Sequence, residues 1–282
     1  MADVRKASKI WKITIWSVIG AAIIWSIFPF YWMLSTALKT DLGVYAIPPE
    51  LWPTEITFAN FAKLFMRDSL IVQFFINSLL TSLGTVAVTV ILATFAGYAL
   101  SRLRFRFRYN ILIGILITQM FPMVVLLIPL YILYVKTHLL NTYLGLILAF
   151  TSFALPFGVW MIKGFIDSVP VEIEEAAMVD GCSRIKAMFK VVLPLAVPGI
   201  VATGIFAFLD AWNNLLFPLT LITELDMKTL PPGMILYFTG QLRTDWGGMM
   251  ATSFFTTLPI VLIFILVQRY LVEGLTAGAV KG

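Results

Sequence analysis

From Ile13 to Leu38, and again from Ile71 to Leu100, the chain carries no charged residue. A helix needs about 20 apolar residues to cross hydrocarbon. Lipid accepts only helices or closed barrels, because every backbone polar group must find its partner inside the structure. Four further stretches meet the same length. The six predicted spans are 13–38, 71–100, 109–135, 139–162, 196–222 and 246–267. Pro29, Pro122, Pro129, Pro156 and Pro259 fall inside them. Neighbouring helices can satisfy the carbonyls that these prolines free. The second span is longer than a bilayer requires, so it tilts or projects. Composition agrees: 60% of residues are hydrophobic and 12% charged, against about 25% charged in soluble domains. The expected fold class is an all-α integral membrane protein. No repeat or low-complexity linker divides it, so residues 1–282 read as a single transmembrane domain.

Lys and Arg set the orientation. Arg5, Lys6, Lys9 and Lys12 precede the first span, and Arg102, Arg104, Arg106 and Arg108 follow the second. Lys163, Arg184, Lys186 and Lys190 lie between the fourth and fifth, and Arg269 and Lys281 follow the sixth. The other side is poorer in cations. Both termini are therefore expected in the cytoplasm. The first run resembles a signal peptide at its start but is too long for a cleaved one, so it reads as a retained signal anchor. The net charge of +5 sits beside apolar spans and is a topology signal, with no nucleic-acid footprint.

The longest polar interruption on that side is about 168–193, between spans four and five. Pro170 suits a helix start, and Glu172, Glu174 and Glu175 complement the dipole of its first turns. Ala176 and Ala177 let another surface approach closely. Asp180-Gly181 supplies a stop, with Gly181 expected at positive φ. Ser183 can cap a second short helix over Arg184–Lys190, which Pro194 is expected to end. The pattern predicts a helix-turn-helix on the membrane surface with a docking face and no catalytic group.

The run Glu174-Glu175-Ala176-Ala177, then Asp180-Gly181, then Leu193-Pro194 resembles the coupling loop of bacterial ABC importer permeases. The likeness is to the maltose-type, six-span carbohydrate permease subunits. Ala211-Trp212-Asn213-Asn214, Thr229-Leu230-Pro231-Pro232-Gly233 and the tail from Gln268 to Gly282 also carry it. It covers the whole chain and is densest after Pro170. Many family members have an acid after Trp-Asn; here it is Asn214, with Asp210 one turn earlier. The resemblance implies a bacterial-type inner-membrane protein that works with a second permease subunit. It also implies two copies of a cytoplasmic ATPase, a solute-binding protein outside the cell and a carbohydrate substrate. ATP and Mg are then bound by the ATPase subunits and no cofactor by this chain. By the same resemblance, this chain is the smaller, maltose-G-like partner. Glu174, Glu175, Ala176, Ala177, Asp180, Gly181 and Pro194 become ATPase-coupling residues. Thr276, Ala277, Gly278 and Lys281 become a tail that contacts the ATPases. On composition alone that tail is a frayed end.

No phosphate-cradling Gly-x-x-x-x-Gly-Lys-Ser/Thr loop, Gly-x-Ser-x-Gly elbow or His-Glu-x-x-His pair occurs. Cys182 and His138 are single, so no Cys or His cluster for a metal is expected. If transport is active, its energy must come from elsewhere, and the docking loop points to a separate ATPase chain. Asp210 is the one acid deep in a span, where it should face protein or water. Thr203, Asp210, Asn213 and Asn214 would share a helix face. They form either a polar lining for solute or hydrogen bonds to a neighbouring span. Asn77, Thr81, Gly84 and Thr85 share a face in the second span, where packing is the commoner use; Asn77 also stands as a pathway candidate. Gln119, before Pro122, is another. The outer segment 39–69, with Pro48, Pro49 and Pro53, packs over span ends or meets a partner. Two other readings remain at this stage: an ABC permease for a non-sugar solute such as a polyamine, and an ion-coupled secondary transporter.

Overall fold

The computed structural model describes residues 2–66, 69–239 and 243–279, with side chains from 9, 11–66, 69–239 and 243–268. In chain order the helices are α1 (Ala2–Ala37), α2 (Ala59–Leu64), α3 (Ile71–Arg102), α4 (Arg108–Ile117), α5 (Met123–Lys136), α6 (Tyr143–Ser168) and α7 (Val171–Val179). They continue as α8 (Arg184–Ala187), α9 (Leu193–Leu195), α10 (Val197–Asn213), α11 (Leu216–Leu221), α12 (Leu230–Phe238) and α13 (Trp246–Ala279). Among the described residues there is no strand, only a bridge between Thr239 and Thr244. The expected all-helical class is what the structure shows.

Four helices are long and apolar enough to cross a membrane: Trp11–Ala37, Ile71–Arg102, Tyr143–Ser168 and Trp246–Gln268. Two more candidates are broken. Arg108–Met120 and Met123–Lys136 meet at 98°, and Arg184–Leu195 and Val197–Trp212 at 75°. The predicted third span thus breaks at Phe121-Pro122. The predicted fifth span, 196–222, is not continuous either. Its helix ends at Asn213 and restarts at Leu216. Pro218 explains this, since it has no N–H for the carbonyl of Asn214 four residues back and its ring would clash there.

Residues group into two compact units, 1–69 with 236–258 and 70–235 with 259–282. In the second unit α3, α6 and α10 pack together. The approach is close at Gly158, where a Cβ would fall 2.9 Å from Thr203 Cγ2 and 3.3 Å from Ala93 Cβ. One apolar cluster joins Tyr98, Leu100, Ile162, Ile166, Met188 and Val192. Another joins Tyr134, Leu146, Phe150, Phe217 and Leu221. The hydroxyls of Thr81 and Thr85 bond back to the carbonyls of Asn77 and Thr81, both at 2.8 Å, so this face serves packing.

In the first unit the outer segment folds onto itself and onto residues 243–255. Asn60 Nδ2 donates to the carbonyls of Ala37 and Lys39, both at 2.9 Å. Lys63 lies 3.6 Å from Asp41 and 3.3 Å from Asp245. Phe65 meets Phe255 edge-on at 5.5 Å between centroids. Leu64 of α2 is buried here, while Phe58 just before the helix stays exposed.

Candidate functional site

The segment expected to couple is helical on both sides of a turn. α7 starts directly after Pro170, with Glu172 and Glu174 in its first turn. Its end is turned by Gly181, whose φ is +91°. Nothing lies within 4 Å of where a Cβ would sit there, so glycine is required by the backbone and not by crowding. Cys182 N–H bonds the Ala177 carbonyl at 3.0 Å and closes the turn. Ser183 Oγ accepts from the Lys186 N–H at 3.4 Å and caps α8.

Pro194 does not end this second arm. The helical run continues from α8 through a π turn, Met188–Val192, into α9, with Pro194 in the first turn of α9. Inside this run its missing N–H leaves a carbonyl of the preceding turn without a helical donor, and the π turn lies where that bond is lost. The bend comes later, at Ala196, where α10 begins with Pro198 in its own first turn.

The two adjacent glutamates part company. Glu175 and Ala176 are exposed, as are Asp180 and Gly181, while Ala177 is half-buried. Val179 is 87% exposed. Glu174 is turned into the protein. Its Oε2 accepts from Arg102 Nε at 2.9 Å and its Oε1 from the Tyr98 hydroxyl at 2.5 Å. Arg102 Nη2 also donates to the Val169 carbonyl at 2.7 Å. The side chains of Arg102 and Glu174 are 6% and 4% exposed. Glu174 therefore has no free face to offer a docking partner. Sequence reasoning missed Arg102 and Tyr98. Their spacing of four places both on one side of α3, which was the available signal.

The pathway candidates separate similarly. Asn77 is fully buried, and its polar atoms are all in use. Its Nδ2 donates to the carbonyls of Asp226 at 2.7 Å and Lys228 at 2.8 Å. Its Oδ1 accepts from Gln73 at 2.9 Å and Tyr143 at 2.8 Å. Asn77 thus pins a loop and offers nothing to a solute. Asn214 lies beyond the end of α10, and its Oδ1 accepts from Phe217 N–H at 3.1 Å. It caps α11, and an acid at this position would do the same. Thr203 is buried in the helix bundle. Of the expected common face, Thr203 drops out, while Asp210, Asn213 and Asn214 line one cleft. Gln119 Nε2 donates to the Phe153 carbonyl at 2.7 Å, in the turn before Pro156. Asp210 and Asn213 remain. They line an open cleft of about 410 Å³ with Asn214, Met123, Phe206, Leu209, Leu215 and Leu216. Asn213 bonds only its own helix, at the Leu209 carbonyl. Asp210 has no hydrogen-bond or ionic partner among the described residues, so no interhelical bond explains it.

The other motifs serve structure. Trp212 is buried, stacked on Phe208 at 5.3 Å and edge-on to Phe75 at 5.6 Å. In Leu230-Pro231-Pro232, the prolines need no partner in the first turn of α12, and Ser78 Oγ accepts the Leu230 N–H at 2.8 Å. The lysine just before this motif, Lys228, lies outside the spans and is buried. Its amine donates to the carbonyls of Pro218 and Leu219 at 3.3 Å and to that of Ile222. Burial pushes it below the ordinary lysine pKa. Of the tail, Thr276, Ala277 and Gly278 continue α13 and Lys281 lies outside the described residues.

Among the described residues the chain has several helices long and apolar enough to cross a membrane and an exposed helix-turn-helix. The chain belongs to the family described as binding-protein-dependent transport system inner membrane component, which it matches over residues 89–276. It is 36% identical over 270 residues to the diacetylchitobiose uptake system permease protein DasC of Streptomyces coelicolor, covering 95% of this chain and 97% of that one. It is 38% identical to the sulfoquinovosyl glycerol transport system permease protein SmoH of Agrobacterium fabrum, covering 91% and 89%. It is 33% identical to the trehalose/maltose transport system permease protein MalG of Thermococcus litoralis, covering 94% and 96%. In fold it is similar to a chain from the crystal structure of a bacterial ABC transporter involved in the import of the acidic polysaccharide alginate. The TM-score is 0.82 at 19% identity, over 94% of this chain and 98% of that one. The protein is a permease subunit of a binding-protein-dependent transport system.

Proposed function

We propose that the chain forms half of the pathway of an ATP-driven carbohydrate importer in a bacterial inner membrane. Six spans place both ends in the cytoplasm, with each bent helix pair part of one span. A second, related permease supplies the other half. Two copies of a cytoplasmic ATPase bind ATP and Mg, and a solute-binding protein delivers sugar from outside. The exposed face of α7 docks on one ATPase through Glu175, Ala176 and Val179. Closure of the ATPases then moves α7 and switches the pathway from inward-open to outward-open. Asp210 and Asn213 face the solute path, and the α13 tail through Gly278 and Lys281 reaches the ATPases.

One observation carries the docking scheme: Glu175 and Val179 stand free beside a buried Glu174. The sugar assignment is supported by relatives named for diacetylchitobiose and trehalose/maltose. Glu175→Arg should keep the spans folded and lower ATP-driven uptake through weakened docking. At about 4 Å and an effective dielectric near 20, the raw attraction to a basic partner is on the order of 4 kcal/mol, before desolvation reduces it. Reversing the partner charge in the ATPase should restore part of the uptake. Normal uptake and normal ATPase affinity in Glu175→Arg would refute the scheme.

A further inference from the structure

Glu174 and Glu175 are neighbours, about 100° apart around α7. One is exposed; the other is buried against α3, bonded to Arg102 and Tyr98. Arg102 touches a third element as well, the carbonyl of Val169 at the end of α6. The second arm of the loop is fastened to the same helices. Met188 and Val192 share a buried cluster with Tyr98, Leu100, Ile162 and Ile166, and Phe189 meets Phe95 edge-on at 6.3 Å.

Stability alone is a weak reason for such a pair. Apolar residues of similar volume often hold a buried site as well or better, because desolvation offsets the attraction. Apolar contacts are also non-directional and let surfaces slide. Two short hydrogen bonds to one carboxylate and a third to a carbonyl fix both distance and angle.

We propose that Arg102, Glu174 and Tyr98 are positioning residues that act as a strut. Through them α7, α3 and the end of α6 move as one body, and a displacement applied to the exposed face of α7 reaches α3 without slack. Glu175 receives the push and Glu174 passes it on. This rests on the loop's proposed role as the ATPase docking element.

The test uses the assembled importer with its ATPase, in a Cys182→Ser background. Spin labels are placed at Ile173 on α7, which is not one of the docking residues, and at Leu92 on α3, both exposed. Their distance is read without nucleotide and with ATP plus vanadate. The wild-type chain should give one unshifted peak in both states. Glu174→Gln keeps volume but removes the charge; it should shift and broaden the peak with nucleotide while the ATPase stays bound at wild-type affinity. Tyr98→Phe, which removes only the hydroxyl, should do the same to a smaller extent and serves if Glu174→Gln fails to assemble. A wild-type peak that moves with nucleotide overturns the strut. So does a Glu174→Gln or Tyr98→Phe peak that stays single and unshifted. A wild-type chain that holds no ATPase overturns the loop's assigned role together with the strut.

Discussion

The two ends of α3 are both held by polar contacts, but of different kinds. At the Asn77 end most bonds run from a neutral side chain to backbone. Asn77 holds the carbonyls of Asp226 and Lys228, and Ser78 holds the N–H of Leu230. At the Arg102 end, about 37 Å further along the helix axis, two charged side chains hold each other. A backbone-directed bond pins a loop whatever side chains it carries. A charge pair needs both partners, and losing one leaves the other buried and uncompensated. The first arrangement anchors a loop. The second can specify how one moving part follows another.

The largest effect should come from breaking the charged end. Arg102→Met strands Glu174 and should cost about 3–5 kcal/mol of stability, measured by denaturation of the purified complex in detergent. Arg102→Met with Glu174→Leu should recover most of that stability, because no charge is left stranded, while ATP-driven uptake stays low. Recovery of uptake as well would make the two ends equivalent. At the other end, Asn77→Leu leaves two carbonyls and the Tyr143 hydroxyl without their partner, at about 1–3 kcal/mol for each group not rescued by water. It should lower the unfolding midpoint while the uptake per assembled complex stays near wild type. A selective loss of uptake would break the contrast.

Gly181→Val tests the turn between the two arms. The site is open, so the cost is the backbone's alone, roughly 1–2 kcal/mol. The spans should fold and uptake should fall, and no charge exchange in the ATPase should rescue it. Smallest is a pH effect at Lys228. Its folded pKa is lowered by burial, so the unfolded state binds the proton more readily. Stability should rise as pH climbs from that lowered value to the unfolded lysine value of about 10.4. It falls again as pH drops through the lowered value. Lys228→Met should flatten this slope in pH-dependent melting.

Much of this was legible in the sequence, wherever the signal was local. Uncharged runs marked the membrane helices, and Pro170, Gly181 and Ser183 marked the start, turn and restart of the loop. What was not legible depended on tertiary packing. Arg102 read as one of four arginines after the second span, a topology signal; only the position of α7 separates it from Arg104, Arg106 and Arg108. Periodicity in a nine-residue helix could not tell which glutamate faced inward. Asn77 resembled a pathway residue because its carbonyl partners lie about 150 positions away in sequence. Asn214 was read as part of a helical face, although Pro218 already carried the reason for the helix to stop. Asp210 is the opposite case: its burial cost was legible, and the absence of a partner among the described residues needed the structure.

The break at Phe121-Pro122 bears on how the protein is made. Its two halves, Arg108–Met120 and Met123–Lys136, are each about 20 Å long at helical rise. Hydrocarbon is about 30 Å thick. Neither half can be released into lipid by the translocon as a finished span, and the backbone at the 98° corner must be covered by protein. This bent pair therefore depends on contact with neighbouring helices to be stable in the membrane. A chain whose neighbouring helices are withheld would leave the polar backbone of that corner in lipid.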